Sequence, residues 1–137
     1  MAGGVNLYAY AGNNPIAFDD PFGLWDPAAH EKLLRHALTG IATASQIRAL
    51  NSSSKRQDLF HNWDNRRHYL ADKGQSPTAA GARSETWISS EMSAARAAHA
   101  AGDDGAALSH LGAAMHTMMD ATSPAHVDGN GPKEYPG

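Results

Sequence analysis

The sequence predicts an all-α protein, about five helices in a compact bundle, and three features of its 137 residues point that way. Alanine is abundant and β-branched residues are sparse, and alanine enters a helix at the least entropic cost. From Leu33 to Met119 apolar residues recur at three- and four-residue intervals, the period of one helical face. Ser, Thr, Asp, Gly and Pro stand where such segments begin and end. The length suits one domain with a modest hydrophobic core.

Each element has a local reason. Residues 1–24 are rich in Gly, Asn, Pro and aromatics and read as turns and short extended pieces. Asp26 then caps a first helix that opens on Pro27, carries Leu33, Leu34, Ala37, Leu38 and Ile41, and stops near Gly40. Thr43-x-x-Gln46 is a capping box for a short second helix bearing Ile47 and Leu50, which the run Asn51-Ser52-Ser53-Ser54 ends. Residues 55–72 form a third helical stretch with Asp58, His61, Asp64 and His68, up to the break at Gly74-Gln75-Ser76-Pro77. Ser76 and Pro77 start a fourth helix over roughly 77–101, with Ile88, Met92 and Ala95 at helical spacing and Gly102 as a left-handed cap. Asp103 caps the fifth, where Leu108, Leu111, Met115, Met118 and Met119 share a face until Ser123-Pro124 stops it. The remaining tail is too short and turn-rich for a sixth helix, and no strand is expected.

Composition excludes several functions. The formal net charge is -3 and there is no long basic run, so an electrostatic footprint for duplex nucleic acid is missing. Without cysteine there is neither a disulfide framework nor a thiolate site, so any transition metal must be held by nitrogen and oxygen. That makes the eight histidines notable. No apolar run approaches the ~20 residues that span a bilayer, and the N-terminus lacks a basic segment followed by an apolar one. Neither a transmembrane segment nor a signal peptide is expected.

The strongest chemical signal is His116-x3-Asp120-x5-His126. His116 and Asp120 fall one helical turn apart on one face, so imidazole and carboxylate can converge on one ion. Gly112, one turn earlier, leaves room there, and His126 follows the helix-ending Pro124 on a segment able to fold back. The plain alternative is a set of ordinary polar residues at a helix end.

Two resemblances sharpen this. Asn6-Leu7-Tyr8-x-Tyr10-x-Gly12-Asn13-Asn14-Pro15, followed by Asp20-Pro21-Phe22-Gly23-Leu24, resembles the end of the Rhs, or YD-repeat, core. The resemblance implies that residues 1–24 close such a core, that a β-shell precedes them, and that self-cleavage needing Asp20 cuts between Leu24 and Trp25. Residues 25–137 are then a toxin domain, delivered into a target cell by a secretion system and matched by a cognate immunity protein.

Separately, His116-x3-Asp120-x5-His126 with Ser123-Pro124 inside it resembles the metal motif of zinc-dependent phospholipase C and the single-strand-specific zinc nucleases. That family implies a helical fold holding two or three zinc ions, with a mature chain that begins on a metal-binding tryptophan followed soon by a histidine. Trp25 and His30 fit those places, His30 better than His36. The family's further Asp and His match Asp58 and His68, with Asp64 and His61 as rivals. Asp120 is expected to bridge two ions and Asp58 to act as general base. A histidine and an acidic residue four positions on, expected after His126, have no counterpart, so the chain is truncated there or leaves one metal position unfilled. The implied reaction is phosphodiester hydrolysis by metal-activated water, first on a phospholipid head group, alternatively on single-stranded nucleic acid. A reading from another class stays open: a non-enzymatic helical toxin that binds an immunity protein, its histidines incidental.

Overall fold

A computed structural model describes residues 27–135. The expectations placed on Asp20, Leu24, Trp25 and Asp26, and the boundary at residue 24, lie outside those residues. Four α-helices pack together: α1 (Pro27–Leu38), α2 (Ala44–Phe60), α3 (Pro77–Ala100) and α4 (Asp104–Asp120). A 3-10 turn, Asn65–His68, stands between α2 and α3, and a two-residue antiparallel ribbon, β1 (Val127–Asp128) with β2 (Gly131–Pro132), follows α4. The all-α bundle is as expected from composition and spacing; the ribbon is an addition too short to leave an alternating pattern.

Local chemistry sets most of the helix ends. Thr43 and Gln46 make both halves of a capping box, satisfying two amides that the first turn of α2 leaves without helical partners. Ser76 accepts from the Ala79 amide with Pro77 at the first turn of α3, and Asp103 accepts from the Ala106 amide at the start of α4. Between α3 and α4 Gly102 takes φ +81°, a conformation that costs glycine least.

The expected end of the second helix at Asn51–Ser54 is not observed: α2 continues to Phe60, and the stretch 55–72 is divided between its last turns, a bend at His61–Asp64 and the 3-10 turn. The reason is tertiary. Ser53 and Ser54 are buried and bonded to Ser109 and His116 of α4, and small side chains let the two helix backbones approach closely. Gly112 is the matching gap: a Cβ there would lie 2.6 Å from Ser53 Cβ and 2.8 Å from the Leu50 carbonyl oxygen. Ser53 Oγ donates across this contact to the Ser109 carbonyl. Gly112→Ala is therefore expected to destabilise the protein by about 1–3 kcal/mol through overpacking, despite the roughly 1 kcal/mol that alanine gains over glycine in a helix. Urea unfolding checks this; a stabilised variant would mean that the α2–α4 contact relaxes without cost.

α4 is the central element, packed on α1, α2, α3 and the 3-10 turn, and its residues 111–117 are all buried. Leu33, Leu34, Ala37 and Leu38 of α1, Ile47 and Leu50 of α2, Ala95 of α3, and Leu111, Met115 and Met119 of α4 form the core. Burying each large side chain stabilises the fold by roughly 1.5–3 kcal/mol. His116, Thr117 and Asp120 of α4 are buried as well, with His116 and Asp120 beside side chains of α2 and the 3-10 turn. No helix of the described residues is long and apolar enough to cross a membrane.

Candidate metal centre

His116 and Asp120 lie one turn apart in α4, and His116 Nε2 stands 3.1 Å from Asp120 Oδ2. His30, on α1, brings its Nε2 to 2.9 Å from the other oxygen, Asp120 Oδ1. The 3-10 turn adds His68, whose Nδ1 is 3.2 Å from Asp120 Oδ2 and 3.2 Å from His116 Nε2. From the last turn of α2, Asp58 Oδ1 lies 3.3 Å from His116 Nε2 and 3.6 Å from His68 Nδ1. The groups His30–Asp58–His116 and His68–His116–Asp120 each gather one donor atom per residue within 4.8 Å. These His and Asp side chains, on four different elements and all buried but the partly exposed Asp58, can hold a metal ion.

The donor set fits a cation, as shown by its hydrogen bonds. His68 Nε2 donates to the His61 carbonyl at 3.1 Å, so the neutral ring presents a lone pair on Nδ1 to the cluster. That lone pair faces a carboxylate oxygen and another imidazole nitrogen, which is repulsive unless something positive lies between them. Without a metal the positive charge is a proton. Burial pushes the His116 pKa down, but the Asp120 and Asp58 carboxylates outweigh it and raise it to about 9. Burial likewise acts to raise Asp120, yet His116, joined by His30 and His68, holds it well below the usual carboxylate range.

Surrounding groups fix the rings. His116 Nδ1 is hydrogen-bonded to Ser54 Oγ at 3.0 Å, leaving Nε2 aimed inward, and the His30 and His116 rings stack at 4.3 Å. Thr117 Oγ1 donates to the Arg67 carbonyl and receives the Trp87 indole N–H at 3.2 Å. The guanidinium groups of Arg66 and Arg67 lie over the Trp87 ring, so the 3-10 turn that carries His68 is clamped to α3 and α4. Partners of this kind usually change metal affinity by about 10- to 100-fold. Ser54→Ala is accordingly expected to weaken metal binding about tenfold while helical content is kept; calorimetric titration checks it, and unchanged affinity would show that Ser54 does not orient the ring.

The rivals take other roles. Asp64 is bound by Arg66 and Arg67 at 3.0 Å each, and His61 contributes its backbone carbonyl to His68 rather than its ring. His126 stands at the margin: its Nδ1 donates to the His68 carbonyl and lies 3.8 Å from Asp120 Oδ2, outside both groupings. The tail holds it there, since the Lys133 amide donates to the His126 carbonyl and the Ala71 amide to the Lys133 carbonyl. Asp128 and Glu134 are in neither grouping. Sequence reasoning gives no role to Ser54 or Thr117 and reads Trp87 as a base-stacking or core ring; the serine run reads as a helix end, which hides Ser54. A shallow dent lined by His30, Glu31, Asn51, Ser54, Lys55 and Asp58 lies between α1 and α2.

No protein family, curated protein or solved structure matches the chain. The chemistry of the site therefore stands on its own geometry.

Proposed function

We propose that the chain is a zinc-dependent phosphodiesterase, with a phospholipase C-type hydrolysis as its reaction, acting as the toxin domain of an Rhs-type protein. One observation carries the metal part. A tetrahedral zinc with bonds of about 2.0–2.1 Å holds its ligands roughly 3.3–3.4 Å apart. His68 Nδ1, His116 Nε2 and Asp120 Oδ2 are 3.1–3.2 Å apart along all three edges they share, close to one face of that figure, and Asp58 Oδ1 lies 3.3 and 3.6 Å from the two imidazole nitrogens. Imidazole with carboxylate, and no thiolate, suits zinc better than the all-oxygen sites of calcium or magnesium.

His68, His116 and Asp120 would hold one ion, with Asp58 beside it, and His30 with the second oxygen of Asp120 would supply part of another site. Bound zinc supplies Lewis acidity and brings the pKa of water to about 7. The protein's own groups do the rest. Asp120 is 1% exposed and Asp58 30%, so Asp58 is the carboxylate that water and substrate reach. Its Oδ1 faces the cluster and its Oδ2, 3.9 Å from His30 Nδ1, takes the proton of the attacking water. Asp120 stays ionised and aligns three imidazoles at once. Lys55, lining the dent between α1 and α2, places a cation beside an approaching phosphodiester while paired with Glu31 at 3.3 Å.

The toxin assignment rests on the resemblance of residues 6–24 to the end of an Rhs core and is independent of the site. A nuclease reading shares the cluster and is favoured by the close spacing of Trp25 and His30; lipid is preferred because the chain is acidic overall. Zinc-loaded protein is tested on phosphatidylcholine vesicles and on single-stranded DNA. Release of a phosphorylated head group is expected. DNA cleavage without lipid turnover would replace the substrate, and a purified protein with well under one zinc and no turnover of either would leave the non-enzymatic toxin reading.

A further inference from the structure

Leu59, Phe60 and Trp63 are 68%, 66% and 73% exposed, an unusual placement for three large apolar side chains within five residues. They sit at the end of α2 and in the bend after it, the segment that also carries Asp58 and the His61 carbonyl. The apolar cluster is thus continuous in the chain with two groups of the metal centre, beside Asp58, the more exposed of its two carboxylates.

Charge says what this surface faces. Residues 48–67 hold five of the eleven Lys and Arg of the chain but only two of its fourteen acidic residues. One of those two, Asp64, is buried under Arg66 and Arg67, and the other is Asp58 in the cluster. Lys55 is paired with Glu31, and Arg66 and Arg67 with Asp64, so the charge offered to a partner is that of the exposed Arg48 and Arg56, the latter one helical turn before Leu59 and Phe60. A basic segment in an otherwise acidic chain, ending in Leu, Phe and Trp, matches an interface where cations meet anionic head groups and an indole sits at head-group level. Single-stranded nucleic acid fits less well, because Leu59 offers no ring for stacking.

We infer that Leu59, Phe60 and Trp63, with Arg56, form a docking surface for lipid bilayers carrying anionic head groups. Docking there turns the open edge of the metal centre toward the membrane; that orientation, though not the docking, rests on the phosphodiesterase reading. The full chain is sedimented with vesicles of phosphatidylcholine alone and with added phosphatidylglycerol, in EDTA so that no turnover contributes. Binding is expected to rise with phosphatidylglycerol and fall with salt, with a blue shift of tryptophan emission that Trp63→Phe removes. L59S/F60S/W63S is expected to lose about tenfold or more in affinity, and Arg56→Glu to lose the preference for phosphatidylglycerol. Binding unchanged in the triple variant, no binding to either vesicle, or retention of single-stranded DNA in place of vesicles would each overturn the assignment. Hydrolysis of a soluble short-chain lipid, measured separately, distinguishes the two failures: docking without turnover refutes the enzyme alone, and turnover without docking refutes the surface alone.

Discussion

Asp120→Asn is expected to remove metal from the whole centre, whereas His30→Ala removes part of it. Asp120 directs Oδ1 to His30 and Oδ2 to His68 and His116, so a single carboxylate joins both halves of the cluster. An amide keeps the shape but loses the charge, and one of its two ends becomes a donor facing imidazole nitrogens. Metal analysis should find Asp120→Asn with little or no zinc. In His30→Ala an ion held by His68, His116 and Asp120 is expected to be retained. Hydrolysis should fall by on the order of 1,000-fold in Asp120→Asn, because Lewis-acid stabilisation of the transition state is worth several kcal/mol. Equal stoichiometry in the two variants would show that Asp120 does not bridge, and wild-type metal content in Asp120→Asn would remove the centre as drawn.

Chelation is the second large effect. The cluster ties α1, α2, the 3-10 turn and α4 together through side chains that are almost all buried. An ion at 1,000 times its dissociation constant stabilises a fold by about 4 kcal/mol, which in a domain of this size corresponds to a fall in Tm of roughly 10–20 °C on adding EDTA. A Tm unmoved by EDTA would mean that no ion was bound. The pH dependence of the chelated protein follows from His116. Its pKa in the fold, about 9, is above the ordinary value of 6.5; the stability it lends is complete below about pH 6.5 and is lost as pH rises through 9. Asp120 has the opposite sign: its lowered pKa contributes above the ordinary value of 3.8 and is lost only as pH falls through the lowered value. EDTA-treated protein should therefore lose stability from pH 6.5 to 9. Zinc-loaded protein should not, since deprotonated imidazole is the form that binds metal.

The two halves of the molecule are unequally legible. Thr43 with Gln46, Ser76 with Pro77, and Gly102 with Asp103 mark helix boundaries by interactions within three or four residues, so the sequence alone locates them. The run Asn51–Ser54 misleads because isolated Asn and Ser compete with helical backbone. Only the gap left by Gly112 on α4 shows why they continue a helix here.

His116 and Asp120 are readable as a pair for the same reason of short range: helical geometry places residues four apart on one face whatever surrounds them. The all-α class, the helix caps, the exclusion of thiolate ligands and that His–Asp pair are legible in the unfolded chain. The tertiary structure decided that His68 rather than His61 turns its ring inward, that Asp64 goes to Arg66 and Arg67 while Asp58 joins His116, and that one oxygen of Asp120 meets α1. Those choices depend on the bend at His61–Asp64 and on how closely α2 approaches α4. Residues far apart in sequence are brought together by packing, and packing leaves no periodic trace in the chain.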